Sequence, residues 1–314
     1  MTSLVSDLYL PSLLVLWLAV AVDALWRWPQ STHPLTFMRY LIKQMGHKVL
    51  PSSQYGPSQH YISGTLAAVV LLSPLIVCLA VLVYMAEYPV FFEAVIVVSL
   101  LDFGYQRQQY KKVLASVGRN KKSLAREMVK TITARQCHML TDIGIAKAAI
   151  ESLYLKFLYL YCGVIFYFVF FGPIAALIYR LLLLTSWQWH YRNEGMQHFA
   201  QPVRKLVSIL VIPPALFGAL ATLLVSNPIK GITAMRRARQ KDKTSLLLAL
   251  LGGALNIKLG GPAMYANKKY RNARVGGIND VKYSDMHHAR HIVHYAMAVI
   301  CALASLALIA TGIL

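Results

Sequence analysis

Five ionisable side chains, Asp23, Glu93, Asp102, Lys156 and Arg180, fall within or at the edges of long apolar stretches of this sequence. A charge buried in such surroundings is expensive unless it is paired, so each is a candidate for a functional role. Asp23 and Asp102 stand near the ends of their stretches and Lys156 lies just past Ser152, where capping or snorkelling also accounts for them. Arg180 follows Tyr179 deep in an apolar run and precedes the most polar stretch of that region, Trp187 to Phe199. Arg192, Asn193 and Glu194, the imidazoles His190 and His198, and several aromatic rings lie together there, a composition able to hold a planar or anionic ligand. An interfacial aromatic belt with a solvated turn fits the same residues equally well.

Two further groups carry chemistry. The segment from Leu251 to Tyr265 contains Gly252-Gly253 and Gly260-Gly261, flanked by Lys258, Lys268 and Lys269. Paired glycines let backbone N–H groups approach an anion, although the spacing is not that of a phosphate loop and simple turns explain it equally. His287, His291 and His294 share one helical face beside His288. A metal site there needs more ligands than the nearby Asp285 supplies, and the alternative is an interfacial helix start with Ser284 as N-cap. The four cysteines, Cys78, Cys137, Cys162 and Cys301, show no metal or redox spacing and read as small buried hydrophobes. Spacing yields no Ser-His-Asp or Cys-His arrangement.

These residues must be positioned by helices in lipid. Hydrophobic residues make up 57% of the chain and charged residues 14%, too few to cover a water-exposed surface. Spans of about 20 apolar residues are expected at Leu8 to Trp26, Thr65 to Met85, Val90 to Tyr105, Leu153 to Phe171 (with a continuation toward Thr185), Val203 to Val225 and His291 to Leu314. The predicted fold is all-α, a single polytopic transmembrane domain over residues 1–314 with about six spans and helical basic segments near 105–152 and 227–290. At Gly172-Pro173 and Pro213-Pro214 an ordinary proline-containing membrane helix is the preferred reading, with a broken or re-entrant span as the alternative. Ala19-Val20-Ala21 resembles a signal-cleavage site, but no Lys or Arg precedes Arg27, which argues against a cleaved leader.

Charge is sorted along the chain. Tyr105 to Ser152 holds ten Lys or Arg against Glu127, Asp142 and Glu151, and Asn227 to Arg290 holds thirteen against Asp242, Asp280 and Asp285. With four more between Arg27 and Tyr61, 27 of the 32 basic residues fall on one predicted face, which the positive-inside rule makes cytoplasmic. The net charge of +20 suits anionic membrane lipid, and no nucleic-acid partner is expected of a chain with several lipid-length apolar runs. Leu124, Met128 and Ile132 predict an amphipathic helix within the first basic segment.

The order of motifs resembles the CobD/CbiB family of cobalamin biosynthesis, the adenosylcobinamide-phosphate synthases. The residues that carry the likeness are Asp23-Ala24-Leu25 with His33-Pro34, Ile145 through Ser152, Gly172 through Arg180, Arg192-Asn193-Glu194, His198-Phe199, Ile212-Pro213, Gly252-Ala254-Leu255, Leu259 through Tyr265, and Gly276. The resemblance spans nearly the whole chain. It implies an inner-membrane ligase that joins aminopropanol or its phosphate to adenosylcobyric acid as an amide, with ATP and Mg2+. It further implies catalytic roles for Glu151, Arg180 and Glu194 and substrate contacts from Arg135, Tyr179, Arg192, Asn193, His198, Lys258, Gly260, Gly261 and Tyr265, with Asp23 and Glu151 as metal ligands. The sequence departs from the family pattern where that pattern is acidic. Leu153 to Gly163 has no carboxylate, Leu181 to Trp189 has only Thr185, Ser186 and Gln188 as polar residues, and Val207-Ser208 stands in place of an Asp pair. Those losses keep open a second reading, a non-catalytic inner-membrane regulator like the AmpE-type proteins on the same scaffold.

Overall fold

A computed structural model describes residues 2–26, 28–52, 54–193, 195–265 and 268–313. In chain order the helices are α1 (Thr2–Leu25), α2 (Pro34–Val49), α3 (Pro57–Met85), α4 (Pro89–Leu100), α5 (Phe103–Gly118), α6 (Lys122–Ile132) and α7 (Asp142–Lys156). A π-helical turn, Phe157–Cys162, leads into α8 (Gly163–Gln188), α9 (Met196–Phe199), α10 (Gln201–Leu210), α11 (Ile212–Val225), α12 (Pro228–Arg237) and α13 (Lys243–Ala254). Four short strands, β1 (Lys258–Gly260), β2 (Ala263–Tyr265), β3 (Lys268–Tyr270) and β4 (Arg274–Gly276), precede α14 (Tyr283–Ile313).

The helix starts follow from local chemistry. Pro34, Pro57, Pro89 and Pro228 each open a helix at a position whose N–H has no intrahelical acceptor. Thr141, Asn227 and Asp242 accept the N–H groups of Gly144, Lys230 and Ser245 at 3.1 Å as N-caps. Among the described residues four helical stretches are long and apolar enough to cross a membrane: Pro57–Met85, Pro89–Gly118, Asp142–Gln188 and Tyr283–Ala310. The pair α10 and α11 makes a fifth if counted as one broken span, and Pro11–Leu25 is a shorter apolar helix. The protein is therefore a polytopic helical membrane protein. Val70 and Val77 on α3 are 60% and 59% exposed, as apolar side chains facing lipid are.

Both places are broken, against the preference for ordinary proline-containing helices. Gly172 interrupts α8 with φ +82 and ψ −179, and Val211 separates α10 from α11 just ahead of Pro213-Pro214. The fold is all-α as expected, with two small antiparallel ladders beside the helices, β1 with β4 and β2 with β3, whose three-residue strands are too short to show a period in sequence. Other expectations need correction. The buried face of α6 is Ala125, Val129 and Ile132, and Leu124 is 39% exposed, because neighbours on both sides cover the small residues. Ser284 lies inside α14, which starts at Tyr283, so it is not the N-cap. Cys78 is exposed, while Cys137, Cys162 and Cys301 are buried, and all four are free thiols.

The chain folds as two compact units built from alternating segments. One comprises residues 1–102, 163–214 and 303–314, the other residues 103–162 and 215–302. In the first, α4 packs on α1 and α8, and α3 packs on α9 and α10. Trp189 is buried there, donating through Nε1 to the Ile42 carbonyl at 2.8 Å and meeting the Phe199 ring edge-on. In the second, α7 packs on α5, α6, α13 and β1, and α13 also carries β4.

Candidate functional site

The second unit gathers charged residues around the β1–β4 ladder. Glu151, on the last turns of α7, is 2% exposed at its side chain and reaches two partners. Its Oε2 receives Arg135 Nη2 at 2.5 Å, and its Oε1 accepts the Gly260 N–H at 2.6 Å. Arg135 sits in the connection between α6 and α7, which is fixed by the Gln136 N–H donating to the Met264 carbonyl at 2.9 Å and by Arg126 Nε donating to the Leu140 carbonyl at 2.9 Å. Burial pushes the Arg135 pKa down, but the Glu151 carboxylate outweighs it and holds the guanidinium above its ordinary value. A buried pair of this kind, once broken from one side, costs about 3–5 kcal/mol.

Gly260 and Gly261 turn the chain sharply, with φ +69 and +101, conformations that L side chains seldom adopt. The bare α-carbon of Gly261 leaves a small cradle. The place a Cβ would occupy lies 3.5 Å from Lys147 Nζ and 3.9 Å from Arg274 Nε. Lys147 stands one turn before Glu151 on α7, and Arg274 is the register partner of Gly260. Lys258, at the start of β1, pairs with Asp280 at 3.9 Å, and Tyr265 packs edge-on against Tyr270. The Gly260 and Gly261 N–H groups are taken by Glu151 and the Ala273 carbonyl, and Arg274 Cγ lies 3.4 Å from the same point, so it is the two cationic heads that suit an anionic oxygen, such as that of a phosphate.

The first unit holds a second charged cluster. Asp102 Oδ2 accepts Arg39 Nη2 at 3.0 Å and lies 3.6 Å from Arg180 Nη2. Arg180 is 0% exposed and donates from Nε to the Leu100 carbonyl at 3.2 Å, which ties α8 to α4. His33 caps α2 through Nδ1, which accepts the Leu35 N–H at 3.2 Å. Burial, with Arg180 and Arg39 assisting against Asp102, lowers the His33 pKa. Tyr179 is buried and stacks on Tyr167, with ring centroids 4.7 Å apart.

The polar stretch after α8 divides between core and surface. Trp189 and Phe199 belong to the core, and the Arg204 and Arg192 guanidiniums lie 3.9 and 5.1 Å from the Tyr191 ring. The Asn193 N–H donates to the His190 carbonyl in a turn, and His198 is exposed on α9. The His190 pKa is lowered by burial and by Arg192 and Arg204. Glu194 lies outside the described residues.

The sequence-derived residues therefore fall into separate groups. Arg135, Glu151, Lys258, Gly260, Gly261 and Tyr265 meet in the second unit, whereas Asp23, Tyr179, Arg180, Arg192, Asn193 and His198 belong to the first. Lys147, Arg274 and Arg39 were not singled out from sequence. The Lys147 and Glu151 pair was readable as opposite charges four apart on one helix, while Arg274 is brought in by strand pairing alone. Among the described residues no three His, Cys, Asp or Glu side chains converge on a point that suits a metal ion. Glu151 already engages a cation and an N–H, so the donor set here fits phosphate and does not fit Mg2+.

Comparison with known proteins is consistent over the length of the chain. It is 27% identical to the cobalamin biosynthesis protein CobD of Chromobacterium violaceum, covering 98% of each. It is 24% identical to the CobD of Stutzerimonas stutzeri, over 90% of this chain and 93% of that protein. With the probable CobD of Methanocaldococcus jannaschii it shares 22% identity over 78% and 85%. No solved structure matches. The family described as CobD/Cbib protein matches residues 16–293, and the chain belongs to that family.

Proposed function

We propose that this protein acts in cobalamin biosynthesis as an adenosylcobinamide-phosphate synthase, joining aminopropanol or its phosphate to adenosylcobyric acid through an amide bond at the inner membrane. The observation that carries the reading is the approach of the Lys147 and Arg274 cationic heads to one point beside Gly261. ATP, when bound, supplies activation of the corrin carboxyl group toward the amine. Lys147, Arg274 and Lys258 hold phosphate oxygens, whether of ATP or of the aminopropanol phosphate. Glu151 is a positioning residue: it fixes the Gly260 N–H and orients Arg135, leaving Lys147 on the same helix face free to turn to the ligand. Asp102 and Arg180 act at one remove, by locking α4 to α8. No step is assigned to Mg2+, for which the described carboxylates offer no converging set. The basic segments lie on the cytoplasmic side, where adenosylcobyric acid and ATP are available. The alternative of a non-catalytic regulator rests on the missing acidic positions alone, and the family match does not favour it.

Complementation of a strain lacking the synthase, grown on a corrin precursor, tests this reading. The native chain restores growth, and Lys147→Ala with Arg274→Gln abolishes it while the protein still reaches the membrane in normal amount. Failure of the native chain to rescue, despite normal insertion, sinks the proposal.

A further inference from the structure

Where the Arg274 head stands depends on how the chain enters β4, and the residue just before it, Ala273, is held from two sides. Its carbonyl accepts the Gly261 N–H at 3.0 Å, and its own N–H donates to Gln240 Oε1 at 2.9 Å. The first bond joins β4 to the glycine turn. The second joins it to a side chain 33 residues away, in the connection between α12 and α13. The turn side is tight, since a Cβ on Gly260 would stand 2.6 Å from the Ala273 carbonyl oxygen.

The connection that carries Gln240 is itself anchored. Asp242, two residues on, caps α13 by accepting the Ser245 N–H at 3.1 Å. Behind it α12 packs closely on α13: a Cβ on Gly253 would meet the Ala234 methyl at 2.4 Å and the Lys230 carbonyl oxygen at 2.7 Å. In turn α13 carries β4, with the place of a Gly252 Cβ 3.0 Å from the Gly276 α-carbon. The strand is thus set on α13 at its far end by a glycine contact, and at its near end by one half-buried side-chain amide. That amide is uncharged, so it takes the N–H without drawing a cation away from a ligand.

We infer that Gln240 is a positioning residue of the phosphate site beside Gly261, an assignment that rests on the reading of Lys147 and Arg274 as its cations. By taking the Ala273 N–H it fixes the backbone from which Arg274 extends, so the guanidinium stands beside Lys147 before the anion arrives. A head placed in advance loses less freedom on binding, and the difference appears as affinity. Gln240 acts through Arg274 and not on the anion.

The test is calorimetric binding of inorganic pyrophosphate to the full chain in a neutral detergent at fixed ionic strength. Gln240→Met keeps the length of the side chain but offers the Ala273 N–H no comparable acceptor. The expected result is a loss of affinity of about fivefold, as for one hydrogen bond removed. Arg274→Gln alone weakens binding about tenfold or more, and adding Gln240→Met to it costs nothing further, because residues that act through one another are not additive. A general loosening of the fold instead lowers affinity by the same factor in both backgrounds, and that result overturns the inference. Gln240→Ser, too short to reach Ala273, covers the case in which the methionine variant does not fold. Weakened binding in Arg274→Gln with native affinity in Gln240→Met removes the inference alone. No binding by the native chain, or native affinity in Arg274→Gln, removes the reading of the two cations and the inference with it.

Discussion

Glu151 shows how a buried carboxylate in a membrane protein is used up by its neighbours: one oxygen meets a guanidinium and the other a glycine N–H. What remains for a ligand is the cation one turn away, Lys147, and its strand-borne partner Arg274. The two residues differ in how readable they were. Lys147 shares a helix face with Glu151 by spacing alone, whereas Arg274 reaches Gly261 only because β4 pairs with β1, a contact with no local signature. His33 makes a second case at this scale. Its imidazole is neutral when it accepts the Leu35 N–H, and its pKa in the fold lies below the ordinary 6.5. The unfolded chain therefore binds a proton more readily, and this group's contribution is complete above pH 6.5 and is lost as pH falls through the lowered value. Unfolding followed by fluorescence should show stability declining below that pH, and His33→Asn, which keeps a capping oxygen, should flatten the decline.

The same contrast holds among the elements. Long apolar runs declared the spans, whereas Gly172-Pro173 and Pro213-Pro214 marked where a break could fall without deciding it, because proline is also common in unbroken membrane helices. The ladders did not declare themselves, since strands of three residues are held by neighbours from distant parts of the chain. On α6 Ile132 is buried as expected, but packing chose the small Ala125 over the larger Leu124 for the rest of the face, for a related reason. At Gly172 a backbone argument stands alone, because nothing lies within 4 Å of where a Cβ would be and φ is +82. Gly172→Ala should therefore cost about 1–3 kcal/mol through conformation and not through a clash. Melting in detergent measures it, and an unchanged melting temperature would show that the kink relaxes freely.

Across the whole molecule the arrangement of charge makes the clearest demand. Twenty-three of the 32 basic residues lie in the two segments 105–152 and 227–290, and the cytoplasmic orientation proposed for both rests on the positive-inside rule. A single cysteine placed at Lys121 in a background without native thiols should stay unlabelled by an impermeant maleimide in intact cells and react once the membrane is opened. Labelling before permeabilisation would invert the proposed orientation. The two units also alternate along the chain, the first drawing on residues 1–102, 163–214 and 303–314. Synthesis runs in one direction, so the helices of residues 1–102 are made first and their partner surfaces stay uncovered until α8 and then Leu303 onward emerge. Biogenesis is thus the stage at which this protein is most exposed to insertases and quality-control proteases, and a substitution harmless to the finished fold can still lower its abundance by prolonging that delay.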